Sequence, residues 1–366
     1  MPQVCCRARA PFCRESRSLR IEWVAATLAA VLVAVAGVGW ILQRAGLRRD
    51  ARRYPPAGLL LPRGDRHLHV VRRGDGQPAV VFEAGLAASS ASWARVQPLV
   101  TSFVSSVSYD RAGLGWSSPR TSPPSLAQML EDVHGVVAWA GGGEPVVLVG
   151  HSFGALLLLA FTRHHPELVA GLVLVDPVSL STWSDCSSAD QHRLQVGVQL
   201  SRRGAWLAEF GIVRAALALL LSGSQPFARL IGRRAAGRAA TTLERLTGEV
   251  GKLPKELWPV IAAHWSRPHN FRAMADTLEA LPAYANSADH ILLPTELPVA
   301  ILSASSATED ELRERYGWLT GLLKTEHTIL PETGHWLHLE RPVEVAAAVR
   351  WCVEQSQLSK SSYASD

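Results

Sequence analysis

The pentapeptide Gly150–Gly154, with the sequence GHSFG, constrains the fold of this 366-residue chain more than any other feature. It directly follows the apolar run Val146–Val149 and opens the apolar, helix-like stretch Gly154–His164. A G-x-S-x-G sequence between a strand and a helix predicts a sharp turn that lifts the serine hydroxyl out of the end of a sheet. The start of the helix also offers free N–H groups and a positive dipole end to developing negative charge. Ser152 is therefore the candidate nucleophile.

Short apolar runs and helix-like stretches alternate along the rest of the chain, which predicts a mostly parallel sheet covered by helices. The predicted strands are His67–Val71, Ala79–Phe82, Val104–Tyr109, Val146–Val149, Leu172–Val175, Val299–Leu302 and His327–Leu330. The predicted helices between or after them are Ser125–Trp139, Gly154–His164 and Pro342–Gln355. Residues 178–296 interrupt this alternation, because they contain helical patterns and no convincing strand. We expect them to form a helical cap, with Phe210–Leu221 and Thr241–Leu253 as its clearest helices.

The segment Trp23–Leu42 predicts a membrane anchor. Its twenty residues carry no charge, and as a helix they would be about 30 Å long, enough to cross a bilayer. Trp23 and Trp40 lie near its ends, where aromatic side chains favour the membrane interface. Small residues at 34–36 leave a cleaved signal peptide open as the alternative, and the domain would then be secreted or periplasmic. Arginines on both sides of the segment leave its orientation open.

The distribution of charge argues against a nucleic-acid partner. The net charge is +5, but residues 1–53 hold ten arginines and only three acidic residues. The rest of the chain is therefore slightly acidic, whereas a nucleic-acid-binding protein carries its basic excess in the folded domain.

The five cysteines, three of them before the apolar segment, form neither a disulfide framework nor a metal-binding spacing, although a Cys186–Cys352 disulfide remains an open alternative. We expect no metal and no organic cofactor.

A serine hydroxyl is a poor nucleophile without a general base. His335 is the best candidate, because it follows the predicted strand His327–Leu330 and precedes the last predicted helix. A loop at this point can carry a histidine over the end of the sheet. His338 is the weaker candidate for the same role. His67 and His69 share one face of a strand, but no third metal ligand accompanies them, so we expect both to be structural.

These features resemble the α/β-hydrolase superfamily, in particular its serine-hydrolase branch. Besides GHSFG, the matching stretches are Tyr109–Ser117 (YDRAGLGWS), Leu172–Pro177 (LVLVDP) and Gly334–Pro342 (GHWLHLERP). The resemblance covers about residues 57–355 and implies an α/β fold with a mostly parallel central sheet, flanking helices and a helical cap between strands 6 and 7. It also implies the chain order nucleophile, acid, histidine. Relatives that open epoxides place Asp where Ser152 stands, so that chemistry is not expected here.

The acid is where this sequence departs from the family pattern. Many relatives carry Asp in the loop after the strand equivalent to Val299–Leu302, but residues 303–307 contain no acid. The other acid position known in the family follows the preceding strand, where Asp176 stands. Asp176 is therefore the first candidate. Glu309 and Asp310 remain alternatives, although their segment has the pattern of a capped helix start.

The resemblance also implies an oxyanion hole formed by two backbone N–H groups. These are the amides of Phe153, directly after the nucleophile, and Leu86, in the loop after the strand Ala79–Phe82. Two preorganised donors of this kind stabilise the charge that develops on a carbonyl oxygen. Asp110 and Arg111 are expected to stabilise the loop near the site rather than to react.

The sequence divides into five expected segments: a basic tail (1–22), a transmembrane helix or signal anchor (23–42), a basic linker (43–57), the hydrolase domain (58–355) and a polar tail (356–366). Within the cap (178–296), the run Ala215–Leu221 is apolar nearly all round. It predicts either a buried cap helix or a surface that contacts lipid or an acyl chain.

The expected function is a membrane-anchored serine hydrolase that cleaves a carboxylic ester, with lipid-like esters among its candidate substrates. Acyl transfer to another acceptor and amide or peptide cleavage use the same triad, so they remain open. A non-catalytic hydrolase-fold scaffold is a third alternative, suggested by the absence of an acid from residues 303–307.

Overall fold

The computed structural model describes residues 12–120, 122–178, 183–184, 186–222, 251–288, 293–304 and 324–363. Most of the predicted helix Thr241–Leu253 lies outside these residues. The alternative acids Glu309 and Asp310 also lie outside them.

Eight strands form one sheet in the order β1-β2-β4-β3-β5-β6-β7-β8. The strands are β1 Leu59–Arg63, β2 Arg66–Arg73, β3 Val80–Glu83, β4 Ser106–Tyr109, β5 Val146–His151, β6 Val169–Val175, β7 Val299–Ala304 and β8 Thr325–Leu330. Strand β2 is antiparallel to both of its neighbours, and all the other pairs are parallel. The central strands read as continuous apolar runs because helices cover both of their faces. The predicted α/β fold with a mostly parallel sheet is confirmed.

Strand β1 was not among the predicted strands. It is one of the two edge strands of the sheet, and all of its side chains are exposed or half-buried. Pro62 interrupts its apolar pattern, which an edge strand tolerates because one side of its backbone pairs with nothing.

The helices lie on both faces of the sheet and in an insertion. They are α1 Phe12–Arg53, α2 Gln97–Val100, α3 Leu126–Gly141, α4 Phe153–His164, α5 Ser188–Glu209, α6 Ile212–Leu221, α7 Trp258–Trp265, α8 Pro268–Ala288, α9 Leu337–Glu340 and α10 Pro342–Tyr363. One apolar core joins the sheet to α3, α4 and α8, and a second joins its opposite face to α2 and α10. Helix α3 begins with a capping box, in which Ser125 and Gln128 each bond the other's backbone N–H.

Helices α5 to α8 lie between β6 and β7 in the chain, where the cap was predicted. Helices α5 and α8 pack against each other, and the Tyr284 hydroxyl of α8 donates to the Pro124 carbonyl at 2.6 Å. This bond joins the cap to the loop that precedes α3.

Helix α1 is longer than the predicted anchor, because it continues through most of the predicted linker to Arg53. Arginine is a good helix former, and the first proline after the apolar segment is Pro55. Residues Glu22–Arg53 are long and apolar enough to cross a membrane, and their most apolar stretch is not buried by any other part of the chain that the structure describes. At the other end of the chain, α10 extends into the predicted polar tail as far as Tyr363.

Candidate active site

Ser152 lies at the sharp turn between β5 and α4, with φ 54° and ψ −117°. A positive φ is rare for a residue with a side chain and marks local backbone strain. The flanking glycines permit this turn. A Cβ atom on Gly150 would lie 2.7 Å from the Ala155 amide nitrogen, and one on Gly154 would lie 2.6 Å from the Ala84 carbonyl oxygen. Any side chain at either position would force the turn open.

Ser152, His335 and Asp176 form a continuous chain of hydrogen-bonding groups. His335 Nε2 lies 2.9 Å from Ser152 Oγ, and His335 Nδ1 lies 2.6 Å from Asp176 Oδ2. A neutral imidazole that donates from Nδ1 to the carboxylate keeps Nε2 free to accept the serine proton. The structure therefore brings together the three residues that were predicted as nucleophile, base and acid.

Asp176 reaches His335 from the end of β6, where its own backbone has a φ of 41°. Its second oxygen, Oδ1, accepts the Ala304 amide at 3.1 Å. Burial raises the pKa of the Asp176 carboxyl, but the hydrogen bond from His335 and the electrostatic interaction with its ring outweigh this effect and lower the pKa below its usual value. The carboxylate is thus ionised and held in place at neutral pH.

Two further histidines surround His335 without adding positive charge. Burial lowers the pKa of His151 well below its usual value, and burial lowers the pKa of His338 to about 3. Both rings are therefore neutral near pH 7. His151 Nε2 donates to the His335 carbonyl at 2.8 Å, which holds the loop that carries His335.

His338 was the weaker candidate for the general base. Its Nε2 lies 2.7 Å from Ser92 Oγ, and its ring is completely buried. Its ring packs against that of Trp93 with the centroids 4.8 Å apart. The structure places His338 beneath the site, whereas His335 contacts Ser152.

The two predicted oxyanion donors belong to segments that adjoin the serine. Phe153 is the first residue of α4, so its N–H has no acceptor within the helix. Leu86 follows Gly85 in the loop after β3. A Cβ atom on Gly85 would lie 2.8 Å from His151 Nδ1 and 3.6 Å from Ser152 Cβ, so this loop passes directly over the turn.

Arg111 holds the same loop from below. Its guanidinium donates to the carbonyls of Ala84, at 2.5 Å, and of Gly85, and it forms a buried ion pair with Glu83. Burial raises the pKa of Glu83 to about 7, although Arg111 opposes the shift. Arg111 was expected from the sequence to stabilise this region, but Glu83 was not identified as its partner. An acidic residue at the end of an apolar strand was the available signal, because a buried carboxylate requires a partner.

Asp110, which was expected to stabilise the loop near the site, is completely buried. It accepts the amides of Ser90 at 2.6 Å and Trp116 at 2.9 Å, and it lies 2.9 Å from His69 Nδ1. His69 is accordingly a packed core histidine, whereas His67 is exposed.

Within the described residues, no group of three His, Cys, Asp or Glu side chains is arranged to hold a metal ion. Cys186 and Cys352 are both free thiols.

The comparison with known families agrees with this fold. The sequence profile of the alpha/beta hydrolase family matches residues 80–348, well over half of the chain. The chain belongs to the alpha/beta hydrolase family.

Individual relatives are more distant. "Uncharacterized protein YqjL" from Bacillus subtilis is 28% identical over 117 residues, which cover 32% of this chain and 45% of that protein. "Putative carbamate hydrolase RutD" from Klebsiella pneumoniae is 34% identical over 102 residues, which cover 28% of this chain and 38% of that protein. The chain thus matches less than half the length of each relative.

Among solved structures, a "putative epoxide hydrolase" from Pseudomonas aeruginosa is similar, with a TM-score of 0.59 and 20% identity. The similarity covers 82% of this chain and 95% of that one. At this level of identity it describes the shared fold.

Proposed function

We propose that this protein is a membrane-anchored serine hydrolase that cleaves carboxylic esters. The observation that carries the proposal is the hydrogen-bonded arrangement of Ser152, His335 and Asp176, with His335 Nε2 2.9 Å from the serine oxygen. A serine hydroxyl within hydrogen-bond reach of an imidazole that a carboxylate orients is the arrangement that nucleophilic acyl transfer requires.

In the proposed reaction, Ser152 Oγ attacks the ester carbonyl while His335 Nε2 takes its proton. Asp176 stabilises the resulting imidazolium, and the amides of Leu86 and Phe153 donate to the carbonyl oxygen as it becomes negative. His335 then protonates the leaving alcohol, and the acyl group stays on Ser152. Water, deprotonated by His335, attacks this acyl-enzyme and releases the carboxylic acid.

Two observations favour this function over its alternatives. The nucleophile position holds a serine, which supports acyl chemistry rather than the opening of an epoxide. The non-catalytic alternative arose because residues 303–307 lack an acid, and the contact of Asp176 with His335 supplies an acid from another strand. A relative is named as a carbamate hydrolase, so carbamates join amides as acyl substrates to be tested.

The proposal is tested with purified full-length protein and a panel of substrates. The panel contains p-nitrophenyl esters of varied acyl length, matched amides and carbamates, and an epoxide, each assayed with and without alcohol or amine acceptors. We expect ester cleavage with water as acceptor and its loss in Ser152→Ala. Epoxide opening without ester cleavage, or acyl products formed only with an added acceptor, would contradict it.

Arg111 is expected to affect turnover through the oxyanion loop. A peptide unit is planar and trans, so the N–H of Leu86 points opposite to the Gly85 carbonyl that Arg111 holds. Removing Arg111 leaves the Gly85 carbonyl to its longer bond from the Ala88 N–H, at 3.2 Å, so the peptide is held less firmly. Loss of one oxyanion donor costs about 10²-fold in kcat. We expect Arg111→Met combined with Glu83→Gln to lower kcat by about this factor with little change in KM.

The double variant is necessary because Arg111→Met alone leaves Glu83 buried without its cation, which is strongly destabilising. The Glu83→Gln single variant is the control and should keep kcat within about threefold of wild type, because it keeps the arginine. A folded double variant with wild-type kcat would show that Arg111 does not position the loop.

Retention of α1 as a membrane anchor, rather than its removal as a signal peptide, is supported by side-chain contacts between α1 and the cap. Gln43 Nε2 donates to the Ser266 carbonyl at 2.7 Å, and Asp50 forms an ion pair with Arg214. We expect the full 39.6 kDa chain to remain in membranes during extraction with alkaline carbonate. Release of a shorter chain that begins near residue 37 would instead favour a cleaved signal peptide.

A further inference from the structure

A small cavity lies between the cap and the main domain, beside the proposed oxyanion loop that follows β3. Its volume is about 20 Å³, which is room for one group the size of a water molecule. Helices α7 and α8 of the cap contribute His264 and Asn270 to its wall, and the loop after β3 contributes Ala87 and Ser89. Substrate sites favour such boundaries between domains, so the cavity is a candidate subsite.

The cavity adjoins both segments that carry the proposed catalytic groups. Ala87 directly follows Leu86, whose amide is a proposed oxyanion donor, and consecutive Cα atoms are about 3.8 Å apart. Ile261 of α7 also lines the cavity and belongs to a small apolar cluster against which Trp336 packs. Trp336 is the residue after His335. A group in this cavity would therefore lie only a few bonds from an ester carbonyl bound at the nucleophile.

Three polar side chains of the cavity wall are buried without hydrogen-bond partners in the described part of the chain. Ser89 is 9% exposed, Asn270 is 5% exposed and His264 is 2% exposed. Both ring nitrogens of His264, Oδ1 of Asn270 and the hydroxyl of Ser89 make no hydrogen bond to any described residue. Buried polar groups in proteins are nearly always paired, and an unpaired one costs stability. The convergence of these groups on one cavity indicates a ligand that pairs with them.

The ring of His264 requires a hydrogen-bond donor. Burial lowers its pKa to about 3, so the imidazole is neutral and has one N–H and one acceptor nitrogen. The ring stands perpendicular to the indole of Trp116, with the centroids 4.2 Å apart. An aromatic face can accept the N–H of the imidazole, but it offers no proton to the acceptor nitrogen. A ligand that pairs with His264 must therefore donate a hydrogen bond.

The cavity suits a neutral group. Its described lining residues include no Asp, Glu, Lys or Arg. Asp110 and Arg267 interact electrostatically with His264, but Asp110 already accepts two backbone amides and Arg267 donates to the Gly115 carbonyl at 2.5 Å. A charged substrate group would lose its hydration in the cavity without gaining a counter-ion. A hydroxyl is a small neutral group that both donates and accepts hydrogen bonds, so it fits the size and the chemistry of the wall.

We propose that this cavity is a subsite for a hydroxyl group of the substrate, recognised by His264 and Asn270. The hydroxyl donates its hydrogen to His264 or to Oδ1 of Asn270, and its oxygen can accept from Ser89. The expected substrate class is a hydroxylated ester whose hydroxyl lies a few bonds from the ester carbonyl. The inference rests on the proposed ester hydrolysis and adds the part of the substrate that determines selectivity.

Matched esters test the subsite on either side of the carbonyl. Ethyl β-hydroxybutanoate carries the hydroxyl on the acyl part, and ethyl isovalerate replaces it with a methyl group. Hydroxyethyl butanoate carries the hydroxyl on the alcohol part, and propyl butanoate is its methyl counterpart. A buried polar group that the methyl ester leaves unpaired corresponds to about tenfold in binding. We expect the full-length wild type to prefer one hydroxylated ester over its counterpart by about tenfold in kcat/KM.

Variants of the cavity wall show whether the preference arises there. His264→Phe keeps a ring against Trp116 but removes both nitrogens, and Asn270→Leu removes the amide that the other helix contributes. Each should reduce the preference to about twofold or less. His264→Gln keeps a donor and an acceptor, so it should retain more of the preference than His264→Phe. Comparing preferences rather than rates cancels the intrinsic reactivity of each ester.

His269 provides the matched control. Its Nε2 atom is also buried without a partner in the described part of the chain, but His269 is not among the described residues that line the cavity. His269→Phe should therefore keep the preference of the wild type.

The outcomes separate this inference from the proposed function. Ester cleavage without preference for either hydroxylated ester would overturn the subsite and leave the hydrolase intact, and the cavity would then hold a structural water. A preference that survives both His264→Phe and Asn270→Leu, or that His269→Phe also abolishes, would overturn the assignment to this cavity. No cleavage of any of these esters would remove the proposed function and this inference with it.

Discussion

Replacing Ser152 with alanine is expected to lower kcat for ester hydrolysis by about 10⁶-fold, the effect of removing the nucleophile of a serine triad. The loss is so large because His335 and Asp176 act only through the serine hydroxyl. Some catalysis above the rate in water should remain, since the amides of Leu86 and Phe153 still contact the carbonyl. The measurement is steady-state hydrolysis of the best ester of the panel, together with the pre-steady-state burst that reports the acyl-enzyme.

A matched serine controls for the substitution itself. Ser105 is completely buried beside β4, and its hydroxyl makes no hydrogen bond within the described part of the chain. Ser105→Ala should therefore leave kcat close to that of wild type. Ester hydrolysis by Ser152→Ala at a rate comparable with wild type would mean that another group attacks the substrate.

Asp176→Asn is expected to lower kcat by about 10⁴-fold while leaving the fold intact. An asparagine amide can donate to His335 Nδ1, which moves the ring proton to Nε2 and prevents that nitrogen from accepting the serine proton. The backbone contact from Ala304 N can persist, because the asparagine oxygen can still accept it. Hydrolysis measured at constant pH, with circular dichroism to verify folding, checks the effect.

The alternative acids provide the comparison for this variant. Asp310→Asn and Glu309→Gln should each retain kcat within about threefold of wild type, since neither is assigned a role in the proposed triad. A strong loss in Asp310→Asn together with near-normal turnover in Asp176→Asn would transfer the role of the acid to Asp310.

The sequence was most informative where a residue's environment follows from its neighbours in the chain. The strands β3, β5 and β7 are buried on both faces, so they appear as continuous apolar runs. Ser152 could be placed because the strand, the turn and the helix around it are adjacent in sequence. The edge strand β1 escaped prediction because exposure and Pro62 weaken the same pattern.

Contacts between distant segments were harder to predict. Asp176 and His335 lie 159 residues apart, and only the family's second acid position suggested that they meet. The face of α1 that meets the cap carries small or polar residues, and Gln43 and Ser266 are 223 residues apart. No local pattern of residues predicts such a contact, because it depends on how the cap folds onto the helix.

Labelling with a fluorophosphonate probe tests most directly the central claim that Ser152 is an activated nucleophile. The probe reacts covalently with a serine whose hydroxyl a neighbouring base deprotonates. We predict rapid labelling of the wild type, none of Ser152→Ala, strongly slowed labelling of Asp176→Asn, and wild-type labelling of Asp310→Asn. A folded wild-type protein that does not label, or equal labelling of Ser152→Ala, would contradict the assignment of Ser152 as the nucleophile.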